Sequence, residues 1–383
     1  MKQLLLKDVC SFTSGKAHEQ FIEENGEFIL VTSKFISSDG LLFRKTNKRL
    51  TPLEEGDLCM VMSDVPQGKA LAKCFLVDRD NTYTLNQRIG LFRPDNRYIK
   101  KYFYYLLNRN RYFLAFDDGD SQTNLRKDDI LKCPVVCPSI EEQNRVIRIL
   151  DGVSECINER KNQLYKLDEL VKARFVEMFG DPIINSEKLP TMPMTDVCEI
   201  IDGDRGKNYP TADEFSDEGY CLFLNAKNVT ASGFNFDNCM FVSKEKDEAL
   251  RKGRLSRGDV VLTTRGTLGN LAFYTDEIPF ENVRINSGMV ILRMKRDVID
   301  EVYFIEQFKM QLDDIKEKIA SGSAQPQLPI STMNKIQVLI PDIMRQKDFS
   351  KFIKQVDKSK SVIQKSLEET QLLFDSLMQE YFG

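Results

Sequence analysis

Two stretches of this chain are written to one plan. GDSQTNLRKDDILKCPVVCPSIEEQ fills positions 119–143, and GSAQPQLPISTMNKIQVLIPDIMRQ fills 322–346. Each runs from a Gly through a Gln and an isolated Leu to a short apolar run, a Pro, and a Gln that opens a helical pattern. The register holds without a gap. Gln122 and Gln325, Leu125 and Leu328, Pro138 and Pro341, Ile140 and Ile343, Gln143 and Gln346, Val153 and Val356, and Gly180 and Gly383 are each 203 positions apart. A passage repeated at this length has to be folded twice, which limits the architecture more than any bulk property does. The similarity continues upstream with small insertions. Asp8-Val9-Cys10 resembles Asp196-Val197-Cys198, and FILVTSKFISSDG (28–40) resembles CLFLNAKNVTASG (221–233). LEEGDLCMVM (53–62) resembles LSRGDVVLTT (255–264), a Gly-Asp turn entering a strand-like run in both. A repeat this long implies two domains related by a pseudo-twofold and not a solenoid.

Each half has two materials. Residues 1–138 and 190–340 read as short strands with turn signals plus a helix, such as 98–116 or 302–319, which is a mixed α/β domain. Residues 139–180 and 341–383 are helical, with Ser139 and Asp342 as caps after Pro138 and Pro341. Apolar residues there step by threes and fours. They are Val146, Leu150, Val153, Ile157, Leu164, Leu167, Val171 and Met178 in the first helix, interrupted by Arg160 and Arg174. In the second they are Phe349, Ile353, Val356, Ile363, Leu367, Phe374, Leu377 and Tyr381, interrupted by Lys360 and Thr370. This is a heptad seam, and each helix is the obvious partner of the other. The plainer alternative is two separate surface helices. The expected fold is thus α/β (mixed): two pseudo-twofold-related α/β domains joined by a long antiparallel two-helix coiled coil, each helix about 60 Å long at about 1.5 Å per residue.

Composition narrows the function classes. A content of 42% hydrophobic and 29% charged residues belongs to a folded chain, and 383 residues exceed one ordinary core. No run of about 20 apolar residues exists to span a membrane, and the apolar part of the first eight residues is too short for a secretory signal. Nine scattered cysteines without a C-x-x-C pair read as reduced thiols, so a cytoplasmic location is expected. A single histidine, His18, argues against a zinc site or a His-based triad. Gly15-Lys16-Ala17, Gly68-Lys69-Ala70 and Gly206-Lys207-Asn208 all fail the phosphate-loop pattern. No G-x-G-x-x-G follows a strand, no Asp/Asn-Pro-Pro-aromatic methyltransferase motif occurs, and Glu317-Lys318 reads as an ordinary surface pair. No catalytic residues and no metal ligands are assigned.

The order domain, helix, domain, helix, with the Gly-Ser/Asp-x-Gln lead-ins (Gly119–Gln122, Gly322–Gln325) and the P-x-I-x-x-Q helix openings at Pro138 and Pro341, resembles the DNA-specificity subunit of type I restriction-modification systems. The resemblance covers essentially the whole chain. It implies target-recognition domains at 1–138 and 190–340, a central conserved helix at 139–180 and a distal conserved helix at 341–383. It implies a non-catalytic subunit that reads a bipartite DNA target with a fixed spacer. The implied partners are double-stranded DNA, two methyltransferase (modification) subunits and restriction/translocase subunits, with S-adenosylmethionine, ATP and Mg2+ bound by those partners. The rival readings are a specificity subunit of a related methyltransferase or nuclease system, a stand-alone DNA-modifying enzyme, and a structural coiled-coil dimer.

Charge gives a warning for any DNA reader. Residues 1–140 carry 21 basic and 18 acidic side chains, but 181–340 carry 19 and 25, so a positive face in the second domain has to be local. Candidates for DNA contact are polar and basic residues on loops at matching places in both halves. Lys34 and Lys227 follow an apolar strand. Ser63, Gln67 and Lys69 in SDVPQGK, and Arg265, Thr267 and Asn270 in RGTLGN, follow the Gly-Asp strand. Asn86, Gln87 and Arg88, and Arg284 and Asn286, precede another strand. Arg205, Lys207 and Asn208 lie in DGDRGKNY, which has no twin, and Gln122 and Gln325 sit in the doubled passage. Arg with guanine, and Asn or Gln with adenine, are the favoured base pairings in direct readout. For each residue the plainer role is a solvated turn, and for the two glutamines a structural role in the handover to the helix. RYIKKYFYYLLNRNRYF (97–113) reads as an amphipathic helix with a core-facing aromatic side, not as a base-stacking platform.

Overall fold

The computed structural model describes residues 3–320 and 327–383. The chain divides into two compact units, 1–161 with 364–383 and 162–363.

The first unit is built on a four-stranded antiparallel sheet in the order Cys10–Ser14, Ile89–Pro94, Leu58–Val61, Cys74–Leu76. A second, three-stranded sheet pairs Arg44–Thr46 with Phe28–Val31, which runs parallel to Tyr83–Leu85. The strand Leu58–Val61 is buried along its whole length. Both of its faces are covered, which explains why the sequence shows no polar alternation. Leu58 and Met60 pack into a core with Tyr102, Phe103 and Leu150, while Cys59 and Val61 face Val31, Tyr83 and Leu85. The sheet is therefore a middle layer, with helices on one side and the small sheet on the other. A third pairing joins Gln3–Leu5 to Pro134–Val136, just before the central helix.

The second unit repeats this plan. Cys198–Asp202, Met289–Met294, Val260–Thr263 and Leu271–Phe273 form the four-stranded sheet. Phe241–Val242, Cys221–Leu224 and Val283–Ile285 form the three-stranded one, again with one parallel pair. Thr191–Pro193 pairs with Gln337–Leu339 before the distal helix. The strand Val260–Thr263 is buried throughout, with Val260 and Leu262 against Tyr303 and Val261 against Leu222 and Ile285.

The doubled Gly-Asp is a structural clamp. Gly56 and Gly258 adopt left-handed φ of 79° and 92°. The following Asp57 and Asp259 are both 1% exposed and each holds an arginine through two hydrogen bonds. Arg93 donates to Asp57 at 2.6 and 2.7 Å, and Arg293 donates to Asp259 at 2.9 and 2.8 Å. Bidentate pairing fixes the start of one strand to its neighbour.

The central helix spans Ile140–Phe179 and the distal helix Ile343–Phe382. Ser139 Oγ accepts from Glu142 N–H at 3.3 Å, and Asp342 Oδ1 from Met344 N–H at 2.8 Å, so both caps form. Gly180 N–H and Gly383 N–H bond back to Val176 and Gln379 carbonyls, a turn the φ of 74° at Gly180 requires. Each unit holds one half of each helix, and within it the two halves run antiparallel. In the first unit Arg160 Nε donates to Ser366 Oγ at 3.0 Å, and in the second Lys360 Nζ pairs with Asp168 at 2.7 Å. The seam interruptions Arg160 and Lys360 are thus bonded across the pair.

The helices are more than a seam. Val146 and Leu150 belong to the same core as Tyr102 and Phe103, and Phe374, Leu377 and Tyr381 pack against it. Phe175 and Phe179, both fully buried, meet Tyr303 and Phe349 with ring centroids 4.9 to 5.6 Å apart. The α/β layers and the helix pair share one core in each unit.

The expected helix at 98–116 is corrected. It runs Lys100–Leu107, breaks, and resumes at Arg111–Leu114. Arg109 sits at φ 56° with its N–H on the Ala72 carbonyl, Asn108 Oδ1 accepts from Cys74 N–H, and Asn110 Oδ1 caps the new turn through Tyr112 N–H. Tyr102, Phe103, Tyr105 and Phe113 are buried, so the aromatic face is core. His18 is fully buried and accepts Leu50 N–H on Nε2, which leaves Nδ1 to donate to the Lys16 carbonyl at 2.7 Å. All nine cysteines are free, and burial pushes the Cys133 and Cys198 thiols up to about 12. Among the described residues no helix is long and apolar enough to cross a membrane.

Candidate nucleic-acid interface

In both units three segments leave the sheet at the same end. In the first, Met62 N–H donates to the Arg88 carbonyl at 3.1 Å, and Leu125 N–H donates to the Met62 carbonyl at 2.8 Å. In the second, Thr264 N–H donates to the Gly288 carbonyl at 2.8 Å, and Leu328 N–H donates to the Thr264 carbonyl at 3.1 Å. The isolated leucines of the doubled passage, Leu125 and Leu328, are buried. They pin the lead-in to the strand end from which the polar loops emerge.

In the first unit the cluster is as follows. Lys34 lies in the first turn of the helix Ser33–Ser37, which Thr32 caps through Phe35 N–H, and its ammonium is exposed. Arg88 is exposed, and Gln87 donates to Glu19 at 3.3 Å. Asn86 is 9% exposed and shapes a turn: its carbonyl accepts Ile89 N–H, and a Cβ on Gly15 would stand 2.1 Å from that oxygen. Lys34, Asn86 and Arg88 share a cavity of about 440 Å³ with Arg44, which sequence reasoning missed. Around the neighbouring loop, Asp64 accepts from Val65, Ala70 and Leu71 amides, closing a turn on which Gln67 and Lys69 are exposed. Gln122 is exposed and donates to the buried Ser63 Oγ at 2.8 Å. Ser63 is thus buried and holds Gln122 in place at the surface.

In the second unit Arg205 and Arg265 line a cavity of about 200 Å³ with Asp202, Thr264 and Leu328. Arg205 donates to Asp202 at 3.1 Å and to the Ser287 carbonyl at 3.2 Å. Arg265 is exposed and has no ion pair among the described residues. The loop carrying Arg205 and Lys207 is organised by Asp204, which the sequence did not single out. Burial alone would raise its carboxyl, but amide hydrogen bonds from Gly206 and Arg251 hold it below the usual range. Lys207, Lys227 and Thr267 are exposed. Asn208, Asn270 and Asn286 hold loops through the Ala249 carbonyl, the Val229 carbonyl and Gly288 N–H, respectively. Gln325 lies outside the described residues.

Arg284 is a correction. It is 5% exposed and its guanidinium serves Asp247 Oδ1 and the carbonyls of Asp247, Lys252 and Leu250. Four of its five N–H donors are engaged inside the protein and the side chain is buried, so Arg284 is structural. The strand Val283–Ile285 points it inward, and a one-residue offset decides the face. Asn86 and Asn286 are likewise matched turn-formers: each N–H donates at 3.1 Å, to the Val31 and Leu224 carbonyls.

What remains at the surface is a set of exposed cations, of which Arg205 alone is ion-paired among the described residues, on loops held at the sheet end, in each unit. Such an arrangement suits a protein that meets a polyanion, with side chains of the types that pair with base edges. The comparisons with known proteins narrow this class. The type I restriction modification DNA specificity domain matches twice, over residues 1–167 and 187–371. The crystal structure of a type I restriction-modification system S subunit from M. genitalium matches with a TM-score of 0.56 at 16% identity, over 100% of this chain and 96% of that one. A second structure, described as the structural basis underlying complex assembly and conformational transition of the type I R-M system, matches with a TM-score of 0.53 at 15% identity, over 100% and 97%. At these identities the likeness is one of fold. The chain belongs to the type I restriction-modification DNA specificity family, and it is a non-catalytic DNA-recognition subunit.

Proposed function

We propose that each unit reads one half of a bipartite duplex target, and that the paired helices fix the unread spacer between the halves. Residues 1–138 and 190–340 would be the two target-recognition domains, with 139–180 and 341–383 as the conserved helices. The observation that carries this reading is the matched sheet end. The same three segments converge in both units, yet the exposed residues on them differ: Gln67, Lys69 and Arg88 in one, Arg265 and Thr267 in the other. A common frame with different side chains is what two different half-sites require.

The partners in this reading are two modification subunits that transfer the methyl group and restriction subunits that translocate and cut. S-adenosylmethionine, ATP and Mg2+ would bind to those partners, in the cytoplasm. The acidic excess in 181–340 weakens any long-range attraction of the free chain for DNA, so affinity would come from the assembled complex closing around the duplex.

The test is the methylome of a host with and without this gene. The expected result is a bipartite methylated motif present only with the gene. Exchange of residues 190–340 for another family member's domain should change one half of that motif, and a change in both halves would overturn the modular assignment.

A further inference from the structure

The loop after the helix Ser33–Ser37 holds three large apolar side chains out in water. Leu41 is 83% exposed, Leu42 51% and Phe43 50%. The loop is not loose. Asp39 and Gly40 turn it with φ of 51° and 84°, and Gly40 N–H donates to the Phe35 carbonyl at 2.9 Å. Leu42 N–H donates to Ser38 Oγ at 2.9 Å, and Lys73 pairs with Asp39 at 2.8 Å. Holding successive apolar residues in solvent on a tied loop is unfavourable unless something covers them in the working state. The duplicated fold supplies an internal comparison. At the same place in the second unit, after Gly233, the apolar residues Phe234 and Phe236 turn inward. Their rings stack at 5.5 Å, and Phe236 meets Phe280 at 5.0 Å. The frame can bury this position, and the first unit does not.

Charge identifies the occupant. Leu41, Leu42 and Phe43 form the apolar wall of the cavity that Lys34, Arg44 and Arg88 line. None of the three cations has an ion pair among the described residues, and Glu19, the acid in the lining, accepts from Gln87. An apolar wall facing unpaired donors fits an anionic ligand that presents an acceptor beside a methyl group. In duplex DNA one base edge does so: thymine in the major groove, with O4 next to its 5-methyl. We propose that this cavity seats the methyl-bearing edge of a thymine in the half-site read by the first unit. The proposal rests on the reading of the chain as a bipartite DNA reader and adds to it a base and an atom group.

The experiment uses the full chain with its modification subunits, at fixed salt, on duplexes carrying the methylated motif. Each thymine in turn is replaced by deoxyuridine, which removes only the 5-methyl. One position should lose about four-fold in affinity, the worth of one buried methyl-sized group. In the Leu41→Ala/Leu42→Ala variant, the ratio between thymine and deoxyuridine duplexes should fall to about one at that position. Both side chains stand in solvent, so the core is untouched; if the double variant melts early, Leu41→Ala alone carries the test. Four outcomes would overturn the proposal: a first-unit half-site without a T·A pair, no methyl-sensitive position, sensitivity undiminished in the variant, or an effect of the variant on self-association alone. Absence of any sequence preference with the unsubstituted duplex is a separate result, and it would fell the DNA-reading assignment itself.

Discussion

Arg265 and Arg284 belong to the same unit, one just after a strand of the four-stranded sheet and the other within a strand of the three-stranded one, and their side chains do opposite things. Arg265 stands exposed without an acidic partner, while Arg284 is enclosed with Asp247, itself fully buried. Arg265→Ala should leave the fold unchanged and relax one base position of the motif, at about 1–3 kcal/mol if the contact is bidentate to guanine. Methylome sequencing of the variant checks this, and a uniform loss over all sequences would assign Arg265 to phosphate. Arg284→Ala strands a buried carboxylate. Arg254, 3.5 Å from Asp247, offsets part of that, so the cost should fall near the lower end of the about 3–5 kcal/mol seen for a broken buried pair. Its readout is the denaturant midpoint, with the motif unchanged in whatever protein remains folded. The contrast also shows where sequence reading stops at this scale. Residue type and loop position singled out both arginines, and they placed Asn86 and Asn286 at matched turns. Whether a side chain points to a base or to its own backbone depends on a strand face and on carbonyls far away in sequence, such as those of Lys252 and Val31.

Gln143 and Gln346 explain why the helix openings are written alike. Both are fully buried. Gln143 Nε2 donates to the Pro138 carbonyl at 2.8 Å, and its Oε1 accepts Ile99 N–H at 3.0 Å. Gln346 repeats the pair with the Pro341 carbonyl at 2.9 Å and Asp300 N–H at 2.9 Å. Each glutamine thus ties the start of a long helix to the start of the α/β helix, Lys100–Leu107 or Glu301–Ala320. Gln346→Ala leaves the Asp300 amide and the Pro341 carbonyl without this partner, so it should destabilise the second unit by about 1–3 kcal/mol, measurable by urea unfolding. Phe175→Ala opens a cavity where three rings meet and should cost about 3–5 kcal/mol in the same experiment. The helices, their caps and their apolar face were legible because heptad spacing and Ser or Asp after Pro are local signals. The sharing of that face with the α/β core was not, because periodicity states which face is apolar and says nothing of what covers it. The break at Asn108 was hidden for a related reason: its cause is a pair of backbone contacts to Ala72 and Cys74.

For the whole molecule, duplication was readable from one offset, and the family followed from element order more than from any motif. The proposed spacer is the property that belongs to this scale alone. The two units part after Lys161 in the central helix and after Ile363 in the distal one, so both helices are continuous through the division. Lengthening one alone would slip the antiparallel register that joins Arg160 to Ser366 and Lys360 to Asp168. Four residues should therefore be added to both, after Lys161 and after Ile363. Four is close to one helical turn, so the apolar face rotates by only about 40° and the pairing survives. Each insertion adds about 6 Å at about 1.5 Å per residue. Base pairs of B-DNA rise about 3.4 Å each, so the unread spacer should grow by one or two base pairs. Neither cluster of loops is touched, so both half-site sequences should stay as they are. The methylated motif of an active double-insertion variant decides the matter: an unchanged spacer would mean the helices hold the units together without setting the distance between the bases they read.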